Sequence, residues 1–305
     1  MKALVTGATG LVGRALLQHL EAPHVLTRSS RAPESEPGAF AAQWSWQPER
    51  EPAPAAAFAG VDTVFHLAGE PVAEGRWTAE KKRSIESSRV LGTRHLVSTL
   101  AQLSARPAVL VCASAIGYYG ERGDELLEES AAPGAGFLAR VCRSWEAEAL
   151  EAEQYGVRVV WARLGLVLAP RGGALARMLP PFRLGVGGKL GSGRQWMSWV
   201  QLADVTGLLL HAATHPELRG PLNVVSPAPV RNSEFTRALG HALGRPTLMT
   251  VPRLALSLAL GEVSEVVLES QRVVPRVASD TGYHFAYPEL GAALAACLGA
   301  GEAER

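Results

Sequence analysis

The chain has 305 residues, a length that by the usual prior holds about two domains and can build a core without disulfide staples. Its composition, 47% hydrophobic and 19% charged, is that of an ordinary globular protein. With 30 Lys and Arg against 29 Asp and Glu, the net charge of +1 offers no global field to attract nucleic acid or an anionic membrane.

The first predicted element is a short apolar strand over residues 2–6. Gly7-Ala8-Thr9-Gly10-Leu11-Val12-Gly13 follows, then a helix in which Leu11 and Ala15, and Val12, Leu16 and Leu20, recur at i, i+4 spacing. A second strand covers residues 24–27. Residues 32–57 are rich in Pro, Ala and Glu and read as loop, broken by a short strand over 43–46. Further strands fall at 61–67, 108–113 and 157–163, with helical stretches over 79–103 and 138–155. Apolar strands alternating with amphipathic helices predict a parallel sheet covered on both faces. Residues 169–194 hold Gly172-Gly173, Pro180-Pro181 and Gly187-Gly188 and read as a long functional loop. Beyond residue 231 the pattern is helical, with Asn232 or Ser233 capping a helix over 234–243 and a last helix over 288–298 ending at Gly299. The expected division is a first domain of residues 1–168 with 196–226, and a smaller, mainly helical lobe of 227–305 with 169–195.

Cys112, Cys142 and Cys297 sit among apolar or alanine-rich neighbours and match no metal pattern, so no metal site is expected. Buried thiols, the absence of a run of roughly 18 uncharged apolar residues, and an N-terminus that turns glycine-rich too early for a leader together predict a soluble, cytoplasmic protein.

The strongest chemical signal is the glycine triplet Gly7, Gly10 and Gly13 between a strand and a helix. Glycine permits the tight turn, lets backbone approach a pyrophosphate, and lets helix and strand pack closely. A dinucleotide site is expected there, with Thr9, Leu11 and Val12 on the same turn. An NAD site usually carries a carboxylate about 20 residues beyond the first glycine. Here that place holds Thr27-Arg28-Ser29-Ser30-Arg31, with no acid before Glu34. A guanidinium and hydroxyls suit a 2′-phosphate, so the expected cofactor is NADP(H), with Thr27 and Arg28 at its discriminating end. His66, inside an apolar strand, reads as a core histidine.

These motifs, with His66-Leu67-Ala68-Gly69, Arg89-Val90-Leu91-Gly92-Thr93 and Ser114-Ala115-Ile116-Gly117-Tyr118-Tyr119-Gly120, resemble the extended short-chain dehydrogenase/reductase superfamily. Gly69-Glu70-Pro71, Arg76-Trp77, Ser88-Arg89 and the run from Phe182 to Trp199 are similar to its atypical YfcH-like epimerase family, and residues 247–298 to that family's C-terminal domain of unknown function. The resemblance implies a Rossmann-type doubly wound sheet, bound NADP(H), and nucleoside-diphosphate-sugar epimerase activity inferred from fold relatives. It also implies that Leu67, Ala68 and Gly69 line the adenosine–ribose path, that Arg89 points toward the cofactor, and that Ala113 lies beside it.

The catalytic set implied by the superfamily is a Ser or Thr, a Tyr and a Lys four residues later. Tyr118 has Arg122 at that offset and Tyr119 has Gly123. Aligned on the Tyr-Gly turn, the Tyr and Lys positions become Phe137 and Val141, and the Ser position becomes Ala115, with Ser114 one place away. Candidates to replace the missing groups are Tyr118, Tyr119 and Ser114 at the end of the fifth strand, and Glu70 after the fourth. Glu70, Arg76, Trp77, Lys189, Arg194 and Trp199 are expected to contact substrate, since cations beside aromatics suit an anionic, ring-bearing molecule. Asp204 reads as a helix cap. Two functions fit: an NADP(H)-dependent oxidoreductase or epimerase acting on a small carbonyl or sugar-nucleotide-like substrate, or a non-catalytic NADP(H)-binding redox sensor. A nucleic-acid partner is not expected.

Overall fold

The computed structural model describes residues 1–28 and 40–299. Seven parallel strands form the central sheet: β1 (Ala3–Thr6), β2 (His24–Thr27), β3 (Ala42–Ser45), β4 (Thr63–His66), β5 (Val109–Ala115), β6 (Arg158–Leu164) and β7 (Gly220–Val224). Their order is β7-β6-β5-β4-β1-β2-β3, so the direction of winding reverses between β1 and β4. Ligands of open α/β sheets bind at that reversal, outside the carboxyl ends of the strands. Strands β1 and β4 are buried at every residue, as a sheet covered on both faces requires.

On one face, α1 (Leu11–Leu17) and α5 (Leu202–Thr214) close a core that contains Val5, Leu16, Phe65, Val111, Val205 and Leu209. On the other, α2 (Ala79–Gln102) and α3 (Phe137–Leu150) cover Leu4, Val64, Leu110 and Val159 with Leu96, Leu100, Trp145 and Ala149. Helix α2 starts where the Thr78 hydroxyl accepts from the Lys81 amide at 3.1 Å, a side-chain cap for an otherwise orphaned donor.

The expected loop over 169–194 is instead largely ordered structure: α4 (Gly173–Arg183) and a strand, Gly188–Leu190, that pairs in parallel with Met249–Val251. Leu175, Leu179 and Phe182 form an i, i+4, i+7 stripe buried in the lobe's own core. Pro180 and Pro181 fall in the last turn, where each removes one donor while the Pro180 and Pro181 carbonyls still accept from Leu184 and Val186. The same core holds Trp199, Phe235 and Leu239 of α6 (Asn232–Ala242), and Leu290 and Leu294 of the last helix, Leu290–Gly299. The cap of α6 lies one residue earlier than expected, with the Arg231 amide donating to Glu234 at 2.7 Å.

The chain crosses between the two cores repeatedly. Residues 220–224 supply β7, Trp199 belongs to the lobe, and Ala278, far along the lobe's sequence, packs into the sheet's core. Asp204 lies inside the first turn of α5, while the side chain of Gln201 caps that helix. The Asp204 carboxylate instead latches the lobe, accepting from the Ala286 and Tyr287 amides at 2.7 and 2.9 Å. Among the described residues no helix is long and apolar enough to cross a membrane.

Candidate active site

The site is assembled from the carboxyl ends of β1, β2, β4 and β5. The glycine turn after β1 is tightly packed on its inner side. A Cβ on Gly7, whose φ is +71°, would lie 2.7 Å from the Leu67 carbonyl, and one on Gly13 would lie 2.2 Å from the Gly7 oxygen. On its outer side the turn is open. Thr9 and Gly10 are exposed, and a Cβ on Gly10 would meet only the Gly7 oxygen, at 3.2 Å. No side chain caps α1 and no acid stands in its first turn, which leaves its first backbone amides without a side-chain acceptor. That cradle fits a pyrophosphate. Leu11 and Val12 form its floor, Val12 against the sheet's core and Leu11 against Gly173.

The β4 loop is fixed to β1 by one buried hydroxyl. Thr6 Oγ1 accepts from the Leu67 and Ala68 amides, both at 3.1 Å, and contacts His66 Nδ1 at 2.8 Å. His66 Nε2 lies 3.0 Å from Thr93 on α2, and full burial pushes its pKa down to about 4. It is a neutral core residue that positions the loop. Arg89 is committed to the same loop. Its guanidinium donates to the carbonyls of Glu70 and Ile85 at 3.0 and 3.1 Å and stacks 5.1 Å over Trp145, and a Cβ on Gly69 would lie 3.2 Å from it. Through these contacts Arg89 braces the β4 loop.

At the end of β2, Thr27 accepts from Gln43 at 2.9 Å, and the half-exposed Arg28 is ion-paired with Glu49. Ser29, Ser30 and Arg31 lie outside the described residues. Arg28 opens onto a cleft of about 760 Å³ that Arg50, Arg83 and Ser87 also line. Arg50 and Arg83 are cations that reading by sequence distance from the glycine triplet passes over, because β3 and α2 bring them in from 22 and 55 residues away.

The carboxyl end of β5 carries a buried polar network. Strand register places Ser114, Arg163 and Asn223 in one row across β5, β6 and β7. Ser114, 2% exposed, donates to Glu146 Oε1 at 2.6 Å. The Arg163 guanidinium holds Glu146 with two bonds, at 2.9 and 2.8 Å, and donates to the Tyr119 hydroxyl at 2.9 Å. That hydroxyl donates to Asn223 Oδ1 at 2.8 Å. Tyr119 is wholly buried, and burial pushes its pKa up to about 12. Ser114 and Tyr119 are both buried and both are held as pillars of this network. Ala113 is buried in the sheet's core. Tyr118 differs, being half-buried with its ring 3.5 Å above the Arg163 guanidinium.

The remaining candidates divide. Glu70 is paired with Lys81 at 2.6 Å. Trp77 is buried, donates to the Val72 carbonyl and packs edge-on against Phe137, so it is a core residue. Trp199, fully buried with its indole on the Ala228 carbonyl, is likewise core. Arg76 donates to the Leu258 carbonyl and ties α7 (Arg253–Leu260) to the β4 loop. Lys189 and Arg194 lie on and after the strand Gly188–Leu190, beside a separate cleft. Two groups join the site unannounced by any motif. Lys82 of α2, ion-paired with Glu262, stands 5.5 Å over the Phe137 ring. Glu269 lines a small cavity with Gly117 and Phe137, and burial, with Glu121 and Glu265 nearby, pushes its pKa up to about 7. Among the described residues no His, Cys, Asp or Glu cluster is placed to hold a metal ion.

Residues 3–225 match the NAD dependent epimerase/dehydratase family, and residues 251–297 match a domain of unknown function, DUF1731. An epimerase family protein of Mycobacterium bovis is 41% identical, over 95% of both chains. The epimerase family protein SDR39U1 homolog, chloroplastic, of Arabidopsis thaliana is 40% identical, over 98% of this chain and 87% of its own. Among solved structures, the human epimerase family protein SDR39U1 with NADPH superposes with a TM-score of 0.87 at 31% identity, over 98% of this chain and 99% of that one. With its glycine cradle, doubly wound sheet and C-terminal lobe, the chain belongs to the NAD dependent epimerase/dehydratase family and carries the SDR39U1-like form of it.

Proposed function

We propose that the protein is an NADP(H)-dependent oxidoreductase or epimerase that acts on a small carbonyl or sugar-nucleotide-like substrate without a Tyr-x-x-x-Lys pair. The observation that carries this reading is the outward-open glycine cradle at the sheet's winding reversal, in a chain whose human relative was crystallised with NADPH. The turn from Gly7 to Gly13 holds the pyrophosphate, the Leu67–Gly69 backbone lines the adenosine–ribose path, and Arg28 with Arg50 takes the 2′-phosphate. Bound NADP(H) supplies hydride chemistry. None of the five tyrosines has a lysine four residues on, so proton transfer falls to another group. Tyr118 is the first candidate, because it is the strand-end phenol that the buried network leaves half-accessible. The three free, buried thiols support a reducing compartment such as the cytoplasm.

The cofactor is tested by titrating NADPH and NADH against wild type and Arg28→Ala. NADPH binds far more tightly to wild type. The variant loses roughly tenfold or more for NADPH alone, the value of a charge-assisted hydrogen bond. Equal affinities for the two cofactors in wild type end the NADP reading.

The chemistry is tested by following NADPH oxidation over a panel of carbonyl and sugar-nucleotide substrates, then repeating any hit with Tyr118→Phe. Loss of a positioned acid lowers the rate by about 10²–10⁴. A hit that survives intact moves the proton to Glu70 or Glu269. A second reading, the NADP(H)-binding sensor, is favoured by Phe137 and Val141 standing at the phenol and lysine positions, and tight NADPH binding with no turnover on any substrate selects it.

A further inference from the structure

Helix α7 reads Arg-Leu-Ala-Leu-Ser-Leu-Ala-Leu, so that beyond its first residue Ser257 is its only polar side chain. A helix that is apolar all round is ordinarily sunk in a core. This one is not. Leu256 alone is buried, and Leu254 and Leu258, one turn apart on the same face, are 72% and 69% exposed. The segment that feeds the helix continues the surface, with Leu248 92% and Met249 55% exposed.

Strand pairing brings two more apolar side chains to the same place. Gly188 stands opposite Met249 in the parallel pair, and a Cβ on Gly185 would meet the Pro246 ring at 4.0 Å. Leu184 and Val186, on either side of Gly185, are 79% and 53% exposed. The six residues together expose on the order of 800 Å², more than the roughly 300–600 Å² of the largest apolar patch on an ordinary monomer. That is also what one partner contributes, at about 800 Å², to a stable interface of standard size.

We infer that this face is a dimer interface, on which a second copy of the chain seats the same face about a two-fold axis. A two-fold contact needs only a patch complementary to itself. The face offers apolar surface with a single charge, Arg253, between Leu248 and Leu260, so it carries no pattern that would select a partner of opposite charge. A lipid surface is a poorer match, because interfacial helices set Lys and Arg along a polar face, and α7 has Arg253 alone. Residues 29–39 and 300–305 of this chain hold no apolar side chain larger than proline, so neither segment supplies a cover. The dimer is independent of which cofactor or substrate the site takes. It bears on the site all the same, because Arg76 donates to the Leu258 carbonyl and Lys82 of α2 pairs with Glu262, just past α7. A partner seated on α7 therefore steadies the β4 loop as well.

The test is sedimentation equilibrium of the full chain, with and without NADPH. Wild type is a dimer at micromolar concentration and stays one at high salt, since an apolar contact is not screened. Leu254→Glu/Leu258→Glu weakens dimerisation by about a hundredfold or more, from two leucines lost on each side of the interface. Both side chains are exposed in the protomer, so this variant keeps the wild-type far-ultraviolet dichroism and NADPH affinity. Leu254→Ala/Leu258→Ala, which adds no charge, weakens dimerisation to a smaller extent. The control Leu150→Glu, at the far end of α3 and 41% exposed, remains a dimer. A monomeric wild type overturns the proposal, as does a dimer that the glutamate variant leaves intact. A wild type that is monomeric yet floats with phosphatidylcholine vesicles assigns the face to lipid, and overturns it too.

Discussion

Gly10→Val abolishes NADPH binding in calorimetry while the protein keeps its far-ultraviolet dichroism and its unfolding transition. Gly10 has φ −77° and ψ 171°, an extended conformation open to any residue, and the only atom its Cβ would meet is the Gly7 oxygen at 3.2 Å. Valine is thus tolerated by the fold, at the modest cost of a poorer helix start. What its methyl groups fill is the space outside the turn, where a pyrophosphate must approach the amides at the start of α1. Gly13→Ala is the contrasting variant. Its Cβ falls 2.2 Å from the Gly7 oxygen, so it damages the turn itself and lowers stability as well as binding. A folded Gly10→Val protein with wild-type NADPH affinity places the cofactor elsewhere.

The same turn marks how far sequence reasoning reaches. Its glycines act through local geometry, and the strands around it are apolar runs bounded by turn residues, so β1, β2 and the long helix α2 were all legible. Helix α4 was not, because the density of glycine and proline outweighed the Leu175, Leu179 and Phe182 stripe that buries it. Trp77 and Trp199 look like exposed aromatics beside cations. Their burial comes from Phe137, 60 residues away, in one case and from the helical lobe, with residues on both sides of it in sequence such as Phe182 and Phe235, in the other. Tyr119 and Ser114 were placed correctly at the strand end, but sequence does not say which way a strand-end side chain turns. Here register decides, by setting Arg163 and Asn223 in the row beside them.

Glu146→Leu destabilises the protein by about 3–5 kcal/mol, the cost of leaving one member of a buried ion pair without its partner. Arg163 is 3% exposed and Glu146 6%, so solvent cannot take over the lost interaction. Burial works against the Arg163 charge, yet the Glu146 carboxylate and the Tyr119 hydroxyl raise its pKa above the ordinary arginine value. Removing Glu146 reverses that balance and also strips Ser114 of its acceptor. Urea unfolding at pH 7 reads the loss as a lower midpoint at an unchanged slope. Arg163→Met alone costs a similar amount, and Glu146→Leu/Arg163→Met recovers much of it, since an apolar pair of similar volume often substitutes for a buried ion pair. The double variant still differs from wild type in one respect. Tyr118 loses the guanidinium beneath its ring, 3.5 Å away, and Tyr119 loses its donor, so the strand-end phenol is no longer held. Turnover on any substrate that depends on Tyr118 therefore falls in the double variant, although its stability returns and its NADPH affinity stays. A Glu146→Leu protein within about 1 kcal/mol of wild type, below the range for a broken buried pair, shows that the network is not a structural pillar, and the positioning role assigned to Arg163 goes with it.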